Sequence, residues 1–217
     1  MMRRAAAMIV AATGLTLVAC APMPPRADPP PTEEPTRGAI RMAAVGDSIT
    51  DGDSRNLAGG VPGPLSWVSY AIGPEIEFVG GWAEWGATTE RMASALQQPL
   101  EADVLVILAG TNDAGWVPHR QIGIQLRRIA DAAAVEDVVL ASVPPNDFAV
   151  GVTAELNAYL EGFASREGWT WVDAAAGLRE GDRYAEGMSY DGVHPTEAGA
   201  RVLGEAIGEA VVETARG

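Results

Sequence analysis

At 217 residues the chain is long enough for one well-buried domain and too short for two full ones. With 47% hydrophobic and 20% charged residues it is a folding chain rather than a disordered one, and a net charge of −14 with no lysine repels phosphate backbones, which argues against nucleic acid as a partner. The missing lysine also removes a lysine base or Schiff base, and a single cysteine, Cys20, leaves no intramolecular disulfide and no zinc site built on several thiolates.

Residues 1–19, "MMRRAAAMIVAATGLTLVA", carry two arginines followed by an apolar stretch and small residues, the pattern of a secretory signal peptide. The ending Leu17-Val18-Ala19-Cys20 resembles the bacterial lipobox, which implies cleavage before Cys20 and lipid attachment to it. The alternative is an uncleaved anchor helix, for which the apolar run from Ala5 to Ala21 is at the short edge of the ~17–25 residues a bilayer requires. Either way the domain lies outside the cytoplasm. Residues 20–38 continue as a proline-dense stretch too poor in apolar side chains to fold alone, and read as an extended spacer. The folded domain is expected over 39–217.

From Ile40 onward, short apolar runs alternate with helical patterns. The runs "IRMAAV", "EIEFVG", "DVLVILAG", "DVVLASV" and "WTWVDA" mostly lack polar alternation, as strands covered on both faces do. Helical patterns fall in "PLSWVSYAIG", "TTERMASALQQ", "RQIGIQLRRIADAAA", "TAELNAYLEGFASREG" and the final "TEAGARVLGEAIGEAVVETA", where Ala198, Val202, Ala206 and Ala210 repeat along one face. Strand and helix in alternation predict a parallel sheet between two helical layers, with chemistry at the carboxyl ends of the strands.

Four motifs meet that expectation. "VGDSIT" places Ser48 just past the first strand, where Gly46 permits a tight exit and Ser48 offers both its Oγ and its N–H to a carbonyl. "LAGTND" follows the third strand, and the neutral carboxamide of Asn112 can donate to a developing oxyanion. "GGWAEWGATTERM" follows the second, with Gly86 as a backbone donor and Thr88 or Thr89 capping a helix. In "DGVHP", Asp191 and His194 stand three apart, so one turn lets the carboxylate hold the imidazole while its other nitrogen takes a proton from a serine; Thr196 then caps the last helix. Each motif alone also reads as ordinary turn or capping chemistry. His119 and His194 are the chain's two histidines, the residue type suited to a neutral-pH base, and His119 lacks a carboxylate in its own turn, so it reads as a loop residue. Trp82, Trp85 and Trp116 read as loop residues on the same rim, and Asp47, Asp51 and Asp53 as solvated turn residues.

Taken in order, these blocks resemble the SGNH hydrolases, the GDSL-type esterase and lipase family, over residues 40 to 213. The resemblance implies a three-layer α/β/α, flavodoxin-like fold with a five-stranded parallel sheet. It implies catalysis by Ser48, His194 and Asp191, an oxyanion hole of Ser48, Gly86 and Asn112, and ester hydrolysis without metal or cofactor. The second block departs from the pattern: the family often carries an asparagine a few residues before the glycine, where this chain reads "GGWAEW".

The expected function is therefore an extracytoplasmic serine esterase acting on short-chain esters, with O-acetyl groups on glycans as one candidate substrate, held at the membrane through Cys20. A lysophospholipase or thioesterase is the second reading, and would need a long apolar channel that the loops do not supply. A non-catalytic surface binding module on the same fold is the third, and Ser48, Asp191 and His194 all being present argues against it.

Overall fold

The computed structural model describes residues 34–217. Residues 1–19 and Cys20 lie outside the described residues, as does most of the 20–38 spacer. The chain enters the fold where the N–H and Oγ1 of Thr36 both donate to the carbonyl of Pro74, at 2.9 and 2.8 Å.

Five strands, β1 (Ile40–Gly46), β2 (Ile76–Ala83), β3 (Val104–Leu108), β4 (Asp137–Ala141) and β5 (Thr170–Val172), form one sheet in the order β2-β1-β3-β4-β5. Every pairing is parallel, and all five apolar runs read from the sequence became strands. The register of β1 on β2 slips by one residue between Met42 and Ala43, leaving Val79 as the extra residue.

The central strands lack polar alternation because both of their faces are covered. Toward one side, Ala43, Val45, Leu105, Ile107 and Leu140 pack on α3 (Thr89–Ala95), α4 (His119–Ala133) and α5 (Val152–Glu167) through Met92, Ile122, Leu126, Leu156 and Phe163. Toward the other, Met42, Ala44, Val104, Val106 and Leu108 meet Trp67, Leu203, Ile207 and Val211, from the short α2 (Val68–Ala71) region and from α6 (Glu197–Arg216). Residues 104 to 108 alternate between the two cores, as a pleated strand must. The result is the three-layer α/β/α arrangement expected.

"PLSWVSYAIG" yields only the four residues of α2. Around it the chain is fixed by side chains instead: Ser66 Oγ donates to the Thr50 carbonyl at 2.6 Å, Ser69 Oγ to Gly63 at 2.7 Å and Tyr70 OH to Pro64 at 2.9 Å. Such local side-chain bonds compete with helix formation. A two-stranded hairpin, β6 (Arg179–Glu180) and β7 (Arg183–Tyr184), precedes α6.

This strand order decides where a site can form. From β1 the chain moves outward to β2, then crosses back to β3 on the other side of β1. Loops leaving β1 and β3 therefore diverge and open a crevice at the carboxyl ends of these two strands, the usual ligand position in open α/β sheets.

Candidate active site

Ser48 opens α1 (Ser48–Asp51), directly past β1. Gly46 has no room for a side chain, since a Cβ there would stand 2.1 Å from Thr50 Oγ1 and 2.7 Å from the Leu108 carbonyl. The exit of β1 is thus pressed against the end of β3, which aims Ser48 into the crevice. The four-residue α1 is held from below by Trp67 Nε1, which donates to Thr50 Oγ1 at 3.0 Å.

From the other end of the chain, the 189–195 turn delivers His194. Asp191 organises it: Oδ1 accepts from the N–H groups of Val193 and His194 at 2.9 and 2.7 Å, while Oδ2 lies 2.7 Å from His194 Nδ1. Burial raises the Asp191 pKa, but these hydrogen bonds and the imidazole outweigh it and hold the carboxyl below its ordinary value. An ionised carboxylate only accepts, so Nδ1 carries the proton and Nε2 is left as an acceptor. Ser48 Oγ sits 2.9 Å from that Nε2. Ser48, His194 and Asp191 thus form one continuous hydrogen-bonded chain across 146 residues of sequence.

The turn is braced as well. Tyr184 OH donates to the Val193 carbonyl at 2.8 Å, Ser189 Oγ donates to the His194 carbonyl at 2.7 Å, and Asp147 N–H donates to the Gly192 carbonyl at 2.9 Å. Thr196 Oγ1 accepts from Gly199 N–H and caps α6, as its sequence position predicted.

Gly86 and Asn112 come from the loops after β2 and β3. Gly86 has φ +72°, a conformation that side chains rarely adopt, and a Cβ there would meet nothing within 4 Å. The glycine is required by the backbone, and the space over it is open. Asn112 Nδ2 donates to the Ala87 carbonyl at 3.0 Å, which locks its carboxamide to the Gly86 loop and leaves one amide hydrogen for another acceptor. Asp113 ties the same two loops together, accepting from Thr89 N–H at 2.9 Å and from Thr89 Oγ1 at 2.8 Å. Burial still pushes the Asp113 carboxyl above its ordinary pKa.

Asp47 is not a solvated turn residue. It is fully buried, and its Oδ1 caps α1 by accepting from Ile49 N–H at 3.0 Å. Thr111 lies near the carboxyl and favours its charged form, yet short of bonding geometry, so Oδ2 and Thr111 Oγ1 are both buried without a partner. Burial pushes the Asp47 pKa up to about 6 against the opposing pull of the Ile49 bond, Thr111 and His194. The folded protein consequently holds this proton more tightly than the unfolded chain, and raising the pH from about 4 through about 6 removes stability. Asp47→Asn keeps the acceptor for Ile49 and deletes the titration. Urea unfolding at pH 4 and pH 7 should show the wild type losing on the order of 2–3 kcal/mol more than the variant over this interval.

A model of the GDSL-like lipase/acylhydrolase family matches residues 44–202. The chain belongs to that family. As a GDSL-like acylhydrolase it is a carboxylic-ester hydrolase by class. No curated protein sequence matches it. Its fold is similar to that of several solved structures. An acetylxylan esterase from Geobacillus stearothermophilus, solved as a catalytic mutant, is 18% identical with TM-score 0.64, the match covering 81% of this chain and 96% of that one. A family 3 carbohydrate esterase from Clostridium thermocellum is 19% identical with TM-score 0.64, covering 82% and 98%. A member of the lipolytic G-D-S-L family from Veillonella parvula is 20% identical with TM-score 0.61, covering 81% and 97%.

Around the acylhydrolase centre the aromatic residues sort differently from their sequence reading. Trp82 lies within β2 and carries the Arg91 guanidinium over its ring at 5.5 Å. Trp116 is in a loop and 89% exposed. His119 begins α4 and packs its ring against Tyr159 at 5.2 Å, so it is a helix residue and not the loop residue expected. Trp85 stacks on His194 with centroids 5.2 Å apart, and Tyr190 stacks on the same ring at 5.8 Å. Neither contact was visible in the sequence. The hollow that these rings share with Ser48 measures about 10 Å3. Two larger clefts, of about 300 and 430 Å3, lie between α5 and β5 and between α2 and α6, and contain none of these residues.

Proposed function

We propose that the protein is an extracytoplasmic serine esterase that removes short acyl groups, acetyl above all, by a Ser48-His194-Asp191 triad. The observation that carries this reading is the unbroken chain from Ser48 Oγ through His194 to Asp191. His194 Nε2 takes the Ser48 proton as Oγ attacks the ester carbonyl, and Asp191 steadies the imidazolium that forms. The oxyanion rests on the N–H groups of Ser48 and Gly86 and on the second amide hydrogen of Asn112. His194 then protonates the leaving alcohol, and water repeats the sequence on the acyl-enzyme.

The size of the hollow supports a short acyl group. At about 10 Å3 it has room for roughly one water-sized group, the bulk of a methyl. The solved structures of similar fold include an acetylxylan esterase and a carbohydrate esterase, which favours O-acetyl groups on glycans as the substrate. The signal-like segment over residues 1–19 and the lipobox-like ending at Cys20 support a location at the outer side of a membrane, held by lipid.

Hydrolysis of p-nitrophenyl acetate, butyrate and palmitate tests the reading. Acetate should be turned over fastest and palmitate not at all; preference for palmitate would instead mark a lipid acyl hydrolase. Asn112→Ala should lower kcat on acetate by roughly a hundred- to a thousandfold with little change in KM, because its donor acts mainly on the charged transition state. Mass spectrometry of the membrane-extracted chain should find diacylglycerol on Cys20, and an unmodified full-length chain would refute the anchor.

A further inference from the structure

Trp85 is half exposed, yet its orientation is fixed. Its indole N–H donates to Asp51 Oδ2 at 2.7 Å, and Asp51 stands three residues after Ser48 on the nucleophile's own helix. The same turn of chain that presents the hydroxyl therefore also pins a tryptophan against the imidazole, at 5.2 Å and 30°. Tyr190, likewise half exposed, lies nearly parallel to His194, with 12° between the planes. An exposed indole held by a carboxylate presents a rigid apolar surface beside the reacting atoms.

Resting on the esterase reading above, we propose that Trp85, positioned by Asp51 and joined by Tyr190, is the platform for the leaving alcohol and selects a sugar ring. The geometry of the reaction requires the alcohol oxygen to approach His194 Nε2, because that nitrogen returns the proton to it. The hollow at Ser48 is too small for a ring, so the body of the alcohol must lie outside it, against whatever surface borders His194. That surface is the pair of exposed aromatic faces. A pyranose has a flat face of C–H bonds suited to an indole and equatorial hydroxyls that need acceptors, and the Asp51 carboxylate, which uses only Oδ2 on the indole, offers Oδ1 beside that ring. No arginine lines the hollow among the described residues. An alcohol carrying phosphate is therefore disfavoured, which separates this surface from one built for phospholipids.

Two acetate esters with five-carbon alcohols separate ring stacking from simple apolar contact: an acetylated methyl xylopyranoside and pentyl acetate. The full chain should prefer the pyranoside. Trp85→Ala should lower the pyranoside-to-pentyl ratio of kcat/KM about tenfold, mainly through KM, and Asp51→Ala should lower it by roughly threefold by freeing the indole. Trp85→Phe, which restores a flat ring, should keep the ratio within about threefold of wild type. A wild-type preference for pentyl acetate, or loss of both activities in step in Trp85→Ala, overturns the platform while leaving the esterase intact. Failure of the wild type to cleave either ester, with no labelling of Ser48 by a fluorophosphonate, would remove the esterase reading itself.

Discussion

Ser48→Ala should reduce kcat on p-nitrophenyl acetate by about a millionfold, to a residue of activity supplied by substrate binding and the oxyanion donors alone. The size of this loss follows from the single role of the hydroxyl. Its hydrogen-bond partner is His194 Nε2, so in the proposed mechanism its removal deletes the nucleophile and little else. The backbone N–H of residue 48 remains in α1, and the Asp47 cap and the Trp67 bond that fix this helix are untouched. Unfolding of the variant in urea should accordingly stay within about 1 kcal/mol of wild type. A fluorophosphonate probe should label the wild type and fail on the variant. Retention of more than about a hundredth of the activity would mean that another residue attacks the ester.

Asp191→Asn should cost about ten-thousandfold in kcat, with KM little changed, because the damage is to a tautomer and not to a contact with substrate. The asparagine carbonyl can still accept from Val193 and His194 N–H, so the turn keeps its shape. Its amide NH2 then faces His194 Nδ1 and makes that nitrogen the acceptor. The ring proton moves to Nε2 and points at Ser48, where a lone pair is needed. The carboxylate also links stability to pH. Its folded pKa is depressed, so the stabilisation it gives is present above its ordinary pKa and is lost as acid protonates it. Asp47 acts with the opposite sign, its burial making the protonated form the favoured one.

How much of this was written in the chain depended on the range of the contacts. Residues 104 to 108 read as a strand because two covered faces demand an unbroken apolar run, and that demand is local. Asp191 and His194 could be paired on paper since one turn closes their spacing. Ser48 and Asn112 could be placed on a common rim because both follow strands, and parallel strands end on the same side. The partnership of Asp51 with Trp85 bridges 34 residues and depends on how the loops after β1 and β2 fold over the rim, which no periodicity records. Asp47 looked like turn chemistry because composition cannot tell a solvated carboxylate from a buried one. His119 follows a proline that reads as a loop signal, but Pro118 here precedes the first turn of α4, where a missing N–H costs nothing.

The entry of the chain has a practical consequence. Thr36 docks beside Pro74 at the amino end of β1, and Arg216, at the close of α6, pairs with Glu75 on the same side. Seven residues of β1, roughly 20 Å of strand, separate this end from Ser48. A tag or surface attached at Thr36 would therefore grip the domain at the end of β1 opposite Ser48, which makes this end the handle for immobilising the domain with Ser48 facing away.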